Sequence, residues 1–467
     1  MNSTIPSPET TSFPDFRFGV ASSSFQTEGA NHTYGKGSSI WDHFVRRKRI
    51  LKKYSVYVRG SDFFNRYSHD LDLMEGMGIS NFRLSISWPR IFPDGRGRIN
   101  KSSIEHYKRI FEACNKRGIE PWVTLYHWDL PQELEEIGGW TNRDVVGWFS
   151  DYVYRCSKEF GDVISKWMVM NEPTVFTGAG YFLGVHAPGK KGLRNYLPAV
   201  HHVALSQAAG INILKQELPG AKVGTTVSCS LIQSESFKDN DILAARRIDA
   251  LLNRLFYEPL IGLGYPTDDL PFLRKMDRFI RSEDISNLCA KPDFIGLQYY
   301  TREFVSSAWW VPFLKAKLVP AHKRRVFRTT MNWEVYPAGI FEMIKKYAAY
   351  DQTKEIIITE NGAAFDDEIS EVGISDKARI AFLKEHILQV MQAVRDGYPV
   401  SGYFVWSFTD NFEWAEGYRQ RFGIVHVDYD TQKRTIKDSG KWYSEFIRNF
   451  DHTKNRMVQD EADKFIK

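Results

Sequence analysis

Eight short apolar runs recur along the 467-residue chain, at 13–21, 81–88, 121–126, 166–171, 222–228, 293–300, 355–360 and 400–407. Each is followed by a stretch with apolar residues at helical spacing, at 70–77, 104–116, 144–160, 198–217, 242–256, 337–349, 375–396 and 439–449. The first run alternates Phe16, Phe18 and Val20. The second sets Phe82, Leu84 and Ile86 on one face and Arg83, Ser85 and Ser87 on the other. Strand and helix patterns alternating without a linker predict an α/β fold: a single (β/α)8 TIM barrel with elaborated loops over 13–450. Length alone would allow two or three domains, but such barrels run long as single units. Residues 1–12 read as a disordered tail and 451–467 as a charged one. The stretch 302–332 is too long for an ordinary connection and reads as an insertion, with Trp309, Trp310 and the basic run His322 to Arg325. The basic stretch Arg46 to Arg49, with Lys52 and Lys53, reads as a solvated loop.

Two of the runs end in a carboxylate. Ile356, Ile357 and Ile358 form a β-branched strand buried on both faces, which continues through Thr359 into Glu360 before Asn361-Gly362 turns the chain. Trp167 to Met170 continues through Asn171 into Glu172, and Pro173 ends the strand. A charge at the end of a buried strand is expensive unless it is paired or used. One such residue is more often structural than catalytic. A barrel, however, gathers the C-terminal ends of all its strands around one mouth. Gln26 follows the first strand, Arg83 sits on the second, His127 closes the third, Tyr300 the sixth and Trp406 the eighth. Paired glutamates at such a mouth are what acid/base and nucleophilic work on a glycosidic bond requires.

Composition narrows the field. A net charge of +5 is mild for this length, and no recognition motif or arginine-rich helix argues for nucleic acid. Cys114, Cys156, Cys229 and Cys289 lie far apart with no CxxC pair. They indicate neither a metal site nor a disulfide framework, and read as free thiols in a reducing compartment. The polar N-terminus lacks the apolar core of a signal peptide, and no apolar run reaches the roughly 18 residues of a membrane span. The expected location is therefore cytoplasmic, with no membrane association. Aromatic content is high at 14%, enough for a core and for sugar-binding platforms.

Eight segments carry a resemblance. They are Ser-Phe-Gln26-Thr-Glu28-Gly, Gly-Lys36-Gly-Ser-Ser-Ile-Trp41-Asp, Phe82-Arg83-Leu-Ser-Ile-Ser-Trp88, Tyr126-His127-Trp-Asp-Leu-Pro, Asn171-Glu172-Pro, His186-Ala-Pro-Gly, Thr359-Glu360-Asn-Gly, and Trp406-Ser through Asn411-Phe-Glu413-Trp414. In this order the chain resembles the glycoside hydrolase family 1 β-glucosidases, over nearly its whole length. The resemblance implies a retaining exo-β-glycosidase acting by double displacement. It would remove terminal β-D-glucosyl residues, and β-D-galactosyl or fucosyl residues, from oligosaccharides or from aryl and alkyl glycosides. Glu360 matches the family nucleophile. Glu172 matches the acid/base, with the charge of Glu360 expected to raise its pKa, and a retaining pair stands roughly 5–5.5 Å apart. Tyr300 and Arg83 match the residues that keep the nucleophile ionised and aimed, and Asn171 the one that bonds the sugar 2-hydroxyl. Gln26, His127, Glu413 and Trp414 resemble the set that bonds the other hydroxyls. Trp406 resembles the platform under the ring and Phe422 its wall. Trp333 resembles an aglycone-side platform, with plain packing as the alternative.

The family chemistry implies no metal and no organic cofactor, and a small-molecule β-glycoside as partner. It leaves a homo-oligomer open. The intact Glu413-Trp414 pair fits a non-phosphorylated sugar, and Glu172 separates the chain from myrosinase-like relatives. Two positions depart from the pattern: Gln298 stands where many members have Asn, and Phe25 where Tyr is common. A transglycosylase and a non-hydrolytic carbohydrate-binding barrel remain as rival readings, although a mere binder has no need of both glutamates.

Overall fold

The computed structural model describes residues 16–450 apart from 32, 49 and 51–58. Along the chain run β1 (Arg17–Ala21), β2 (Asn81–Ser85), β3 (Glu120–Tyr126), β4 (Lys166–Asn171), β5 (Lys222–Ser234), β6 (Phe294–Ser307), β7 (Ala316–Val319), β8 (Ile356–Asn361) and β9 (Val400–Trp406). All but β7 pair in parallel, and β5 joins β6 to close the ring, so the molecule is an eight-stranded barrel wrapped in helices. The alternation of strand and helix patterns is thus the barrel that the sequence implied.

Period-two burial explains how one strand serves two layers. Ile357 packs inside the barrel, while Ile356 and Ile358 pack between the strands and the outer helices. The interior also holds Ala21, Trp122, Met168, Phe294 and Phe404. Trp122 meets Phe404 at 5.3 Å and Phe294 at 5.7 Å, which gives the barrel a solid aromatic floor. Room for those rings comes from Gly19 and Gly224, where a Cβ would stand 2.6 Å from the rings of Phe404 and Phe294 respectively.

The stretch 302–332, which reads as an insertion, is strand at its start and in its middle and largely irregular elsewhere. β6 continues to Ser307 and turns back through β7, while β5 continues beside it as far as Ser234. The paired extensions of β5 and β6 rise above the barrel as a ribbon. Arg302 lies 3.6 Å from the Tyr336 ring, and both Arg302 and Arg324 pair with Glu334, tying the segment after β7 to the ribbon. The basic stretch also differs from expectation. Arg46, Arg47 and Lys48 form the last turn of a helix, Ile40–Lys48, where cations suit the exposed carbonyls. Arg47 donates to the Pro188 carbonyl at 2.7 Å. Arg49, Lys52, Lys53 and both expected tails lie outside the described residues. Cys114, Cys156 and Cys229 are buried, Cys289 is half-buried, and all four are free. No helix among the described residues is long and apolar enough to cross a membrane.

The loop after β9 is held from below by charge. Asp410 accepts from the fully buried Lys437 at 2.9 Å and from Arg421 at 3.1 Å, and Lys437 also pairs with Asp367 at 2.6 Å. Replacing Lys437 by Met removes the buried cation that Asp410 and Asp367 share, leaving Asp410 with Arg421 and Asp367 with Arg379. The expected loss is about 3–5 kcal/mol of unfolding free energy. Guanidinium denaturation followed by tryptophan fluorescence checks it, and an unchanged midpoint would show that the cluster is not holding the loop.

Candidate active site

A cavity of about 340 Å³ opens at the C-terminal ends of the barrel strands. Gln26, His127, Glu172, Tyr300, Trp333, Glu360, Trp406, Glu413, Trp414 and Phe422 all line it. Arg83 and Asn171, the remaining expected residues, do not form its wall. They lie behind it, fully buried, and act on the lining residues through hydrogen bonds.

The network begins at Arg83. β2 turns Phe82 and Leu84 outward into the strand–helix layer, so Arg83 faces the barrel axis. Its guanidinium donates to Glu360 Oε1 and to Asn171 Oδ1. Gln298, the position that departs from the family pattern, reaches the same two oxygens. Its Nε2 lies 2.8 Å from Glu360 Oε1 and 2.7 Å from Asn171 Oδ1. Tyr300 completes the set by donating to Glu360 Oε2 at 2.6 Å. The departure at Gln298 therefore acts behind Glu360, within the hydrogen-bond network.

Asn171 Oδ1 also accepts from Thr226 at 3.0 Å. With three donors on its oxygen, the amide must turn Nδ2 toward His127, whose Nε2 lies 3.1 Å away. That nitrogen then accepts, which requires a neutral ring protonated on Nδ1. Electrostatics agree: burial, with the Arg83 charge added, holds His127 well below the ordinary imidazole pKa.

The two strand-end glutamates differ in their surroundings. Burial pushes both carboxyls up. For Glu360 the Arg83 charge and the donors Tyr300 and Arg83 oppose that rise. For Glu172 the charge of Glu360 adds to burial, and Ser228 and the more remote Arg83 oppose it less, so Glu172 stands well above the usual carboxylate range. Burial is the first cause of the Glu172 rise and the Glu360 charge the second, whereas the sequence pointed to charge alone. Glu172 also sits in left-handed backbone, at φ 46°, directly before Pro173. Trp128 (φ 76°) and Trp414 (φ 45°) share that sparsely populated region, so three lining residues hold conformations costing about 1–3 kcal/mol each.

Aromatic rings form the rest of the wall. Trp128 stacks on Trp414 at 4.4 Å, and Trp333 lies 5.3 Å from Tyr300 and 6.1 Å from Phe422. Gln26 is oriented by Ser23, which donates to its Oε1 at 2.7 Å, and its Nε2 donates to the Phe412 carbonyl at 2.7 Å. Burial and the negative Glu360 push Glu413 up to about 8. Among the described residues no lysine or arginine lines the cavity. Among the described residues no group of three His, Cys, Asp or Glu side chains is arranged to hold a metal ion.

Sequence reasoning gave no role to Trp128, His186, Ser228, Ser230, Glu303, Met331 and Glu416, which also line the cavity. Trp128 and His186 lay within quoted segments. Ser230 and Glu303 lie on the strand extensions, where a mixed polar pattern reads as loop.

Comparison with known proteins agrees with this geometry. Residues 9–452 match the family model for glycosyl hydrolase family 1. The chain is 41% identical to Beta-glucosidase A of Thermotoga maritima over 440 residues, which is 94% of this chain and 98% of that protein. It is 36% identical to Beta-glucosidase 42 of Arabidopsis thaliana, covering 95% and 96% of the two chains. The solved structure of the Thermotoga maritima β-glucosidase in complex with deoxynojirimycin superposes with a TM-score of 0.89 at 40% identity, covering 94% of this chain and 99% of that one.

Replacing Tyr300 by Phe removes the 2.6 Å donor to Glu360. The Glu360 carboxyl should then titrate at higher pH than in the parent, because a group that stabilised its charged form is gone. Carbon-13 titration of labelled glutamates reads this directly. A Glu360 titration that does not move would mean that Tyr300 contributes nothing to its ionisation.

Proposed function

The chain belongs to glycosyl hydrolase family 1 and is a β-glucosidase, and on that premise we propose that it is a retaining exo-enzyme working by double displacement. The observation that carries the reading is the unequal support of two carboxyls in one cavity. Glu360 has three donors behind it, and Glu172 has burial and a neighbouring charge that favour its proton.

In the first step Glu360 attacks the anomeric carbon as the bond to the leaving oxygen breaks, and Glu172 delivers its proton to that oxygen. Glu360 becomes an ester and loses its charge. The second cause of the Glu172 rise then disappears, and its pKa falls. Glu172 can now take a proton from water as the water attacks the same carbon, which frees Glu360 and restores the starting state. Asn171 keeps one Nδ2 hydrogen for the sugar 2-hydroxyl, a contact that strengthens in the transition state. Gln26, His127, Glu413 and Trp414 hold the terminal sugar, Trp406 lies under its ring, and Phe422 flanks it. Trp333 faces the leaving group. A non-phosphorylated sugar fits best, because among the described residues no lysine or arginine lines the cavity to meet a phosphate. With Glu413 raised to about 8, the lack of a matching cation among the described residues discriminates more than charge repulsion does. Glucosides are the principal substrates in this reading, with galactosides and fucosides as further ones.

Two experiments test the mechanism. A 2-deoxy-2-fluoroglucoside with a good leaving group should trap a stoichiometric adduct, which peptide mapping places on Glu360. A label on any other residue of an active enzyme refutes the assignment. Glu172→Ala should slow substrates with poor leaving groups by about 10²–10⁴. Activated aryl glucosides should suffer less, and added azide should restore their turnover. Equal losses on both substrate classes would remove Glu172 from the acid role.

A further inference from the structure

The ribbon above the barrel places one more carboxyl in the cavity. Glu303 lies on the extension of β6, opposite Ile232 of β5, beyond the parts of the strands that form the barrel. Its side chain lines the cavity and, among the described residues, makes no hydrogen bond and no ion pair. The adjacent Arg302 and Arg324 both pair with Glu334, while Nε of each and Nη2 of Arg324 make no hydrogen bond among the described residues. Burial pushes the Glu303 carboxyl up to about 7, with the Arg324 charge opposing and the Glu334 charge adding.

The neighbouring groups are hydroxyls. Ser228 and Ser230 of β5 and Thr301 of β6 line the same cavity, with Thr301 Oγ1 donating to the Glu334 carbonyl at 3.1 Å and Ser228 bonding Glu172. Ser230 is pinned through its backbone, whose N–H donates to Asn253 at 3.1 Å and whose carbonyl accepts from it at 2.9 Å. Trp333 and Met331 supply apolar surface to the same cavity. An unpartnered carboxyl, several hydroxyls and an aromatic face together suit a compact molecule rich in hydroxyl groups. A flat aryl group would use the tryptophan and make no hydrogen bond to the half-buried Glu303.

We propose that Glu303 is a specificity-determining residue which accepts hydrogen bonds from a sugar in the leaving-group position, so that the enzyme favours short β-linked glucosaccharides over aryl glucosides. This rests on the family reading of Glu172 and Glu360 and adds the class of leaving group.

The test is the ratio of kcat/KM for cellobiose to kcat/KM for 4-nitrophenyl β-glucoside. Both values come from one preparation, so the ratio does not depend on how much of a variant is folded. Glu303→Gln should lower the ratio about tenfold, and Glu303→Leu further, with KM for cellobiose carrying most of the change. A ratio within twofold of the parent in both variants overturns the proposal. Trapping with the fluorinated glucoside, run alongside, separates the two levels. A parent that labels on Glu360 while the ratio stays fixed defeats only the role of Glu303. A parent that hydrolyses glucosides without labelling there defeats the underlying mechanism.

Discussion

A guanidinium with no access to solvent lies behind the cavity, and most of the site's chemistry traces back to it. Arg83 donates to one oxygen of Glu360 and to the amide oxygen of Asn171. The first contact favours charge on Glu360. The second, with Gln298 and Thr226, sets the direction of the amide, and the amide in turn sets the tautomer of His127. Two buried carboxyls would otherwise compete for one proton on nearly equal terms. Placing the cation and the phenol beside one of them decides which carboxyl keeps the proton.

The barrel makes this arrangement affordable in sequence terms. The strands and the loops after them supply the lining side chains from their C-terminal ends, and the floor of Trp122, Phe294 and Phe404 lies beneath them. Rigidity comes from the strands, while the rim is built separately. On one side the β5–β6 ribbon is braced by Arg302, Arg324 and Glu334. On the other, the loop carrying Glu413 and Trp414 is anchored through Asp410. Ser61 donates to the Asp410 carbonyl at 2.7 Å, so distant segments of the chain meet under that loop.

Much of this was legible in the residues. Ile356 to Ile358 and Trp167 to Met170 could hardly be anything but buried strands, and the carboxylates at their ends stood out for that reason. What the sequence obscured had physical causes. Beyond Tyr300 the stretch Arg302-Glu303-Phe304 has no clear apolar face, because Glu303 meets the cavity and Arg302 an ionic cluster, and the ribbon's apolar packing begins only at Val305. Such a strand resembles a loop. The apolar spacing placed a helix over 198–217, yet the helix begins at Leu193 and carries Pro198 inside it. The helix Phe63–Gly76 likewise begins before its apolar spacing becomes plain. The cause of the Glu172 rise was partly hidden too, since desolvation depends on what surrounds a group in space rather than in sequence.

The left-handed backbone at Glu172 has an evolutionary side. A side chain with a Cβ is disfavoured there, and glycine would relax the turn at once. The substitution most welcome to the main chain is therefore the one that removes the carboxyl to which we assign the role of acid. Selection for heat resistance alone would drift toward inert proteins at this position, and only continued demand for turnover holds the glutamate against that slope.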